Sequence, residues 1–143
     1  MLAKTAIRAP LGNMSKLGAK ISTAFAIRRN RLLIGGLCSD GKPEEAMKLA
    51  DITIPLCKKG GKAYARILEC KIRATVSSID VATGDAFANN EKSLLLMEMF
   101  AEQARLAPTE RNIKLAKSSI VMALNANIIA RLTKRWENVP AKD

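Results

Sequence analysis

The chain contains 143 residues, of which 48% are hydrophobic and only 3% are aromatic. This length fits one domain of ordinary size, and the hydrophobic fraction excludes an intrinsically disordered chain. Few segments show the alternating, β-branched pattern of strands, so a core built from Leu, Ile, Ala and Met predicts an all-α fold.

Charge is distributed unevenly along the chain. There are 24 Lys and Arg residues against 13 Asp and Glu, which gives a formal net charge of +11. Seven of the basic residues and none of the acidic ones lie between Met1 and Ser39. Such an excess of positive charge indicates a negatively charged partner: an acidic protein surface, nucleic acid or an anionic membrane.

The first predicted helix covers residues 14–28. Leu17, Ile21 and Phe25 recur every four positions, so they share one face of that helix. A longer helix would bring a charged arginine into the same apolar face. We therefore expect the helix to break near Asn30.

A pair of glycines, Gly35 and Gly36, follows this first helix and predicts a hinge. The hinge divides the chain into two predicted parts. Residues 1–36 form a basic N-terminal arm, and residues 37–143 form a helical bundle domain.

Four further helices are predicted after the hinge, from the spacing of their apolar residues and from the Gly and Pro residues that flank them. The connections between these helices are short, which places consecutive helices antiparallel. The predicted fold is therefore an antiparallel up-and-down bundle of about four helices preceded by a basic N-terminal helical arm. The four helices are expected at residues 43–59, 62–82, 90–106 and 109–136.

The last of these helices is expected to be the central one. It is apolar over most of its circumference between Ile120 and Ile129. On this basis Leu124→Ala would cost about 2–5 kcal/mol, the usual range for a buried leucine. The longest uncharged run of the chain, residues 118–130, is shorter than a membrane span requires, so we expect no transmembrane helix.

The sequence offers little for catalysis. It contains no histidine and three cysteines without CxxC spacing, so we predict no metal site and no cofactor. The segment 36–42 matches GxxxxGK, but Pro43 stands where a P-loop needs Ser or Thr to bind Mg²⁺. Glu98 and Glu102 share a helix face, and a solvated surface explains this spacing better than acid–base catalysis does. We therefore predict that the protein is not an enzyme.

Clusters of basic residues are the candidate functional residues. They lack the interleaved aromatic residues that stack on single-stranded bases, and they belong to no recognisable DNA-binding motif. Any nucleic-acid binding would therefore be mostly electrostatic. The predicted contact residues for an acidic partner or a polyanion are Lys16, Lys20, Arg28, Arg29, Arg31, Lys58, Lys59, Lys62, Lys134 and Arg135.

These observations lead to one functional hypothesis and two alternatives. The leading hypothesis is a non-enzymatic helical interaction or assembly protein whose basic arm docks on an acidic partner in a larger complex. The first alternative is a sequence-nonspecific nucleic-acid-binding protein. The second is a module that lies on an anionic membrane surface with Leu17, Ile21 and Phe25 inserted. Self-association through the fifth helix is also left open.

The cysteine content bears on cellular location. Three scattered cysteines predict a reducing compartment, either cytoplasmic or associated with nucleic acid. The acid-free, basic N-terminal segment also has the character of an organellar targeting segment or a non-classical secretion signal. The sequence leaves these alternatives open.

Overall fold

The computed structural model describes the backbone of residues 2–79 and 84–137 and the side chains of residues 17–79 and 84–135. The described part of the chain is all-helical and has no strand, which confirms the predicted all-α class. A 3₁₀ turn, Ile54–Leu56, joins the second helix to the third. The five α-helices are α1 (Leu2–Ser39), α2 (Pro43–Thr53), α3 (Lys62–Ser78), α4 (Ala86–Leu106) and α5 (Glu110–Glu137).

The first helix is much longer than expected. α1 continues through every position where an interruption was predicted, so the limits of 14–28, the break near Asn30 and the hinge at Gly35–Gly36 are wrong. Asn30 does not end the helix, because its buried side chain donates a hydrogen bond to Thr53 Oγ1 of α2 at 3.0 Å. The two glycines are exposed, and no neighbouring atoms require the chain to turn there.

A glycine-based cap ends α1 instead. Gly41 has a φ of +73°, a left-handed conformation that favours glycine. Its N–H donates to the Cys38 carbonyl at 3.2 Å, and the Lys42 N–H donates to the Leu37 carbonyl at 2.8 Å. This pair of bonds defines a Schellman motif. The GxxxxGK match is therefore a helix end and its cap, not a phosphate-binding loop after a strand.

The second helix is shorter than predicted. α2 ends at Thr53 instead of residue 59, because Pro55 has no N–H to continue the α-helical hydrogen bonding. The chain then reverses in a β-turn in which the Gly61 N–H donates to the Lys58 carbonyl at 2.9 Å. Gly60 occupies the left-handed position of that turn, with a φ of +77°.

One hydrophobic core lies among α1, α2 and α3. Ile34, Ala46, Ala50, Ile67 and Ala74 are fully buried at its centre. The two isoleucines fill the space between the helices, and the alanines let the helices approach closely. Since Ile34 belongs to this core, the predicted arm contributes to the same core as the helices that follow it. The division of the chain into an arm and a bundle domain stays a prediction.

A second core joins α3 to α4, and polar contacts at its two ends show that these helices are antiparallel. Tyr64 Oη donates to Glu102 near one end, and Lys92 Nζ donates to the Ser78 carbonyl at 3.1 Å near the other. The predicted continuation of α3 to residue 82 falls on residues outside the described part of the chain. The buried side chains of this core are Leu68, Ile72, Leu96 and Met99.

The fifth helix is not central. It packs along α4, and the side chains that it buries are small ones: Ser119, Ala123 and Ala130. Leu124, which was expected in the core, is 60% exposed. The prediction of a central α5 is therefore wrong, because the packed side of this helix consists of its small residues and not of its large ones.

The sequence analysis predicted no transmembrane helix, but α5 meets the length and composition criteria for one. The segment Glu110–Arg135 is long and apolar enough to cross a bilayer by length and composition. Helices that form the core of a soluble protein meet the same criteria, but they are mostly buried. Only 17% of the most apolar window of α5 is buried. α5 therefore presents an extensive apolar surface to its surroundings.

Candidate functional site

An open cleft between α1 and α3 brings basic side chains from two helices together. Its volume is about 450 Å³. Arg28 and Arg31, three positions apart and so on one side of α1, line it together with Arg66 of α3. We call this the arginine cleft (Arg28, Arg31 and Arg66). Its floor is apolar and consists of Ala24, Ile27, Ala63 and Ile67.

The packing of α1 on α3 fixes where these arginines lie. Ile67 is fully buried directly after Arg66, and Ile27, directly before Arg28, packs against the same core. Closely packed isoleucines hold the backbone on both sides of the cleft. Core packing therefore fixes the backbone positions from which the three arginines extend into the cleft.

No carboxylate forms an ion pair with the arginine cleft in the part of the chain that the structure describes. Like charges that share a cleft repel one another. An anion that binds between them removes this repulsion and accepts charge-assisted hydrogen bonds. The ion pairs of the described residues all lie elsewhere: Lys71–Asp51, Arg73–Glu69 and Lys92–Glu44.

α1 carries an exposed apolar surface beside the cleft. Phe25, Leu32 and Leu33 line a shallow groove that Arg28 and Arg29 border, and Phe25 is 67% exposed. These residues are exposed because the core uses the other side of α1, where Asn30 and Ile34 lie. We call this surface the α1 face and define it by Leu17, Ile21, Phe25, Leu32 and Leu33, all of which are exposed.

Three of the predicted contact residues of α1 line the arginine cleft or the groove beside it, namely Arg28, Arg29 and Arg31. Lys20, Arg28 and Arg29 are exposed, and Arg31 is partly buried at the cleft. Arg29 Nε also donates a long hydrogen bond, 3.4 Å, to Asn30 Oδ1. The side chain of Lys16 lies outside the described residues.

A second predicted cluster lies near the cleft. Lys58, Lys59 and Lys62 are exposed in the turn before α3 and at its first residue. Ala63, the next residue, forms part of the floor of the arginine cleft. These lysines therefore extend the positive charge of the cleft at the same end of α3.

The third predicted cluster is separate. Lys134 and Arg135 are exposed in the last turn of α5. That end of α5 adjoins the start of α4, since Ile129 and Asn89 line one cavity. The start of α4 lies at the end of α3, whereas the arginine cleft lies at its beginning. Lys134 and Arg135 therefore form a basic patch of their own.

Arg66 is the site residue that the sequence analysis missed. Lys62 and Arg66 are four positions apart and share a helix face, and this spacing was the available signal. Which face of α3 meets α1 depends on tertiary packing. The pairing of Arg66 with Arg28 and Arg31 was therefore not visible in the sequence.

Two cysteines and a tyrosine among the described residues have raised pKa values. Burial raises the pKa of the Cys57 and Cys70 thiols, which lowers the fraction of nucleophilic thiolate. A hydrogen bond to Glu102, together with burial, raises the pKa of Tyr64 to about 12. All three cysteines are free thiols, and no group of three or more Cys, Asp or Glu side chains in the described ranges could hold a metal ion.

Comparison with known proteins assigns no family to the chain. No family model, no curated protein and no solved structure matches it. Its function is therefore inferred from its own residues and their geometry.

Proposed function

We propose that the protein is a non-enzymatic helical interaction protein that binds an acidic segment of a partner protein within a larger assembly. The binding site is the arginine cleft together with the α1 face. In this proposal residues 37–143 are the scaffold, arranged as an antiparallel up-and-down bundle. The exposed part of α1 is the basic arm that contacts the partner.

Three arginines line one cleft, and no carboxylate among the described side chains pairs with them; this observation supports the proposal most directly. Guanidinium groups bind carboxylates through two parallel hydrogen bonds, which gives both affinity and orientation. The apolar floor of the arginine cleft also keeps water from one side of the ligand, and hydrogen bonds are stronger where water is excluded. An Asp or Glu side chain of the partner meets these requirements.

The apolar residues beside the cleft favour a protein partner over nucleic acid. Phe25, Leu32 and Leu33 lie next to the arginines, and a sugar–phosphate backbone offers them no matching surface. Protein–DNA interfaces are accordingly more polar than interfaces between proteins. A partner helix with Glu or Asp on one edge and Leu or Ile on the other would contact both the arginine cleft and the α1 face.

Binding of a labelled amphipathic peptide, with Glu and Leu at helical spacing, tests this proposal by fluorescence anisotropy. We expect the double variant Arg28→Glu/Arg31→Glu of the full chain to lower the affinity at least about tenfold, since hydrogen bonds to charged groups contribute about 1.5–3 kcal/mol. Point variants are preferable to deleting residues 1–36, because that deletion would also remove Asn30 and Ile34 from the core.

The matched control is Lys48→Glu/Arg105→Glu, which changes two exposed residues and gives the same net charge. Its affinity for the peptide should stay within about twofold of wild type. Equal losses in both double variants would show that net charge alone drives binding, and would contradict a role for the cleft. Tighter binding of duplex DNA or RNA than of the peptide, with a steep salt dependence, would favour the nucleic-acid alternative instead.

A further inference from the structure

α5 carries a continuous apolar face that nothing in the described protein covers. Its large side chains are each between 47% and 60% exposed. Their spacing places them along one side of the helix for about three turns. A contiguous apolar patch of this kind indicates an interaction site. We call it the α5 face and define it by Ile120, Val121, Leu124, Ile128 and Leu132.

The opposite side of α5 is already packed against α4. Ser119, Ala123 and Ala130 are buried there, and the Ser119 hydroxyl donates to the Ala116 carbonyl at 2.6 Å. Rotating α5 to bury its large residues against α4 would require more space than these small residues leave between the helices. None of the described residues therefore covers the α5 face, which leaves it available to a partner.

Charge distinguishes between the possible partners. Basic residues lie at both ends of the α5 face, and Glu110 is the single acidic residue among the described side chains of α5. A second copy of the chain would bring like charges together in a parallel and in an antiparallel pairing, which is unfavourable. An anionic surface would neutralise both ends. The basic residues, all exposed, are Arg111, Lys114, Lys117, Arg131, Lys134 and Arg135.

Length indicates how α5 would meet a bilayer. Lys117 and Arg131 enclose the uncharged run 118–130, about 20 Å of helix. The hydrocarbon core of a bilayer is about 30 Å thick. α5 meets the criteria for a membrane span by length and composition. In a spanning helix, however, Lys117 or Arg131 would lie inside the hydrocarbon core, because the uncharged run between them is shorter than the core is thick. In a helix that lies flat in the interface, the long aliphatic stems of the flanking Lys and Arg residues let their charges reach the level of the phosphates.

We infer that α5 lies in the surface of an anionic lipid bilayer, with the α5 face inserted and the flanking Lys and Arg residues in contact with lipid phosphates. This inference goes beyond the proposed function, because it uses another helix and another class of ligand. A protein with both surfaces would hold an acidic partner protein at a membrane.

Co-sedimentation of the full chain with lipid vesicles tests this inference. The probes are vesicles of phosphatidylcholine alone and vesicles in which about one third of the lipid is phosphatidylglycerol. We expect binding to the anionic vesicles only, and Leu124→Glu should lower the partition coefficient at least about tenfold. Trp136, the single tryptophan of the chain, lies in the last turn of α5. Its fluorescence should shift to shorter wavelength when the anionic vesicles bind.

The matched control is Ile52→Glu, which introduces the same charge at a residue of α2 that is 65% exposed. Its partition coefficient should stay within about twofold of wild type. Far-UV circular dichroism and thermal unfolding verify that Leu124→Glu folds. Leu132→Gln, which adds no charge, should weaken vesicle binding in the same direction.

Several results would overturn the inference. Equal binding to neutral and anionic vesicles, or equal loss in Leu124→Glu and Ile52→Glu, would remove the α5 face as the lipid site. Loss of binding in Phe25→Glu alone would assign lipid binding to the α1 face instead. Resistance to extraction by alkaline carbonate would show that α5 spans the bilayer. A dimer in lipid-free solution that Leu124→Glu disrupts would identify a second copy as the partner.

The two proposals are distinguishable in these experiments. Leu124→Glu should bind the acidic peptide as wild type does, because the arginine cleft lies on α1 and α3. Failure of vesicle binding would therefore leave the proposed function intact. Failure of peptide binding would not affect the lipid inference.

Discussion

In the core formed by α1, α2 and α3, two large aliphatic side chains, Ile34 and Ile67, are fully buried. In the α4–α5 pair the arrangement on α5 is reversed. There the buried positions hold Ala123 and Ala130, while Leu124 faces outward. Both regions are rich in aliphatic residues, and both pack helix against helix.

The difference shows that apolar content does not decide which helix is central. What decides it is the size of the side chains on the face that meets the neighbour. Large residues on that face bury area and stabilise the fold, whereas small ones let two helices approach and leave the large residues for another partner. The core of α1, α2 and α3 therefore contributes stability, whereas α5, like the α1 face, exposes large apolar side chains.

The most direct test of this comparison is a pair of matched substitutions, each of which shortens one large aliphatic side chain to alanine. Ile67→Ala should lower the free energy of unfolding by about 2–5 kcal/mol, because Ile67 is fully buried and its removal leaves a cavity. Leu124→Ala should change it by less than about 0.5 kcal/mol, because that side chain is mostly exposed. Urea denaturation of both variants measures the two values. A large loss in Leu124→Ala would mean that α5 is buried after all.

Enlarging a small buried residue of α5 should have the next largest effect on the free energy of unfolding. Ala123→Leu inserts a bulky side chain where α5 packs on α4, so we expect the free energy of unfolding to fall by about 1–3 kcal/mol. Val121→Leu enlarges an exposed residue of the same helix and should stay within about 0.5 kcal/mol of wild type. Similar stabilities of the two variants would show that α4 and α5 do not pack through their small residues.

The smallest expected change in the free energy of unfolding concerns the contact between α3 and α4. Tyr64→Phe removes the hydrogen bond to Glu102 and should lower the free energy of unfolding by about 1 kcal/mol near pH 7. The pKa of Tyr64 rises from 10.0 to about 12 in the folded state, mainly because of that bond. Its stabilising contribution is therefore complete below pH 10 and is lost as the pH rises towards 12.

Urea denaturation of wild type and Tyr64→Phe at pH 8, 10 and 11 measures this dependence. The difference in stability between the two proteins should shrink as the pH rises. A constant difference over this range would show that the phenol does not donate to Glu102 in solution.

The all-α class was predictable from the sequence, and so was the start of α2 at Pro43. The extent of α1 was not. Asn30 and the pair Gly35–Gly36 favour helix ends by local propensity, but a tertiary hydrogen bond to Thr53 and the burial of Ile34 in the core outweigh that propensity. Propensity reports on the local chain alone, whereas these contacts join residues far apart in sequence.

The candidate site was predictable only in part. Arg28 and Arg31 were identified from the acid-free first quarter of the chain, and the structure places them in one cleft. Arg66 was not identified, because its approach to α1 depends on how Ile34 and Ile67 pack. Charge patterns along a chain locate basic residues, but only the packing of helices shows which of them face one another.

The hydrogen bond between Asn30 and Thr53 selects one alignment of α1 against α2. A slide of α1 by one turn, about 5.4 Å, would disrupt the close packing of Ile34 in the core. Such a slide would leave the Asn30 amide buried without a partner, at a cost of about 1–3 kcal/mol. The bond therefore fixes the register of α1. Because α1 also packs on α3, this bond and the packing of Ile34 and Ile67 together determine which side chains face Arg66 across the cleft.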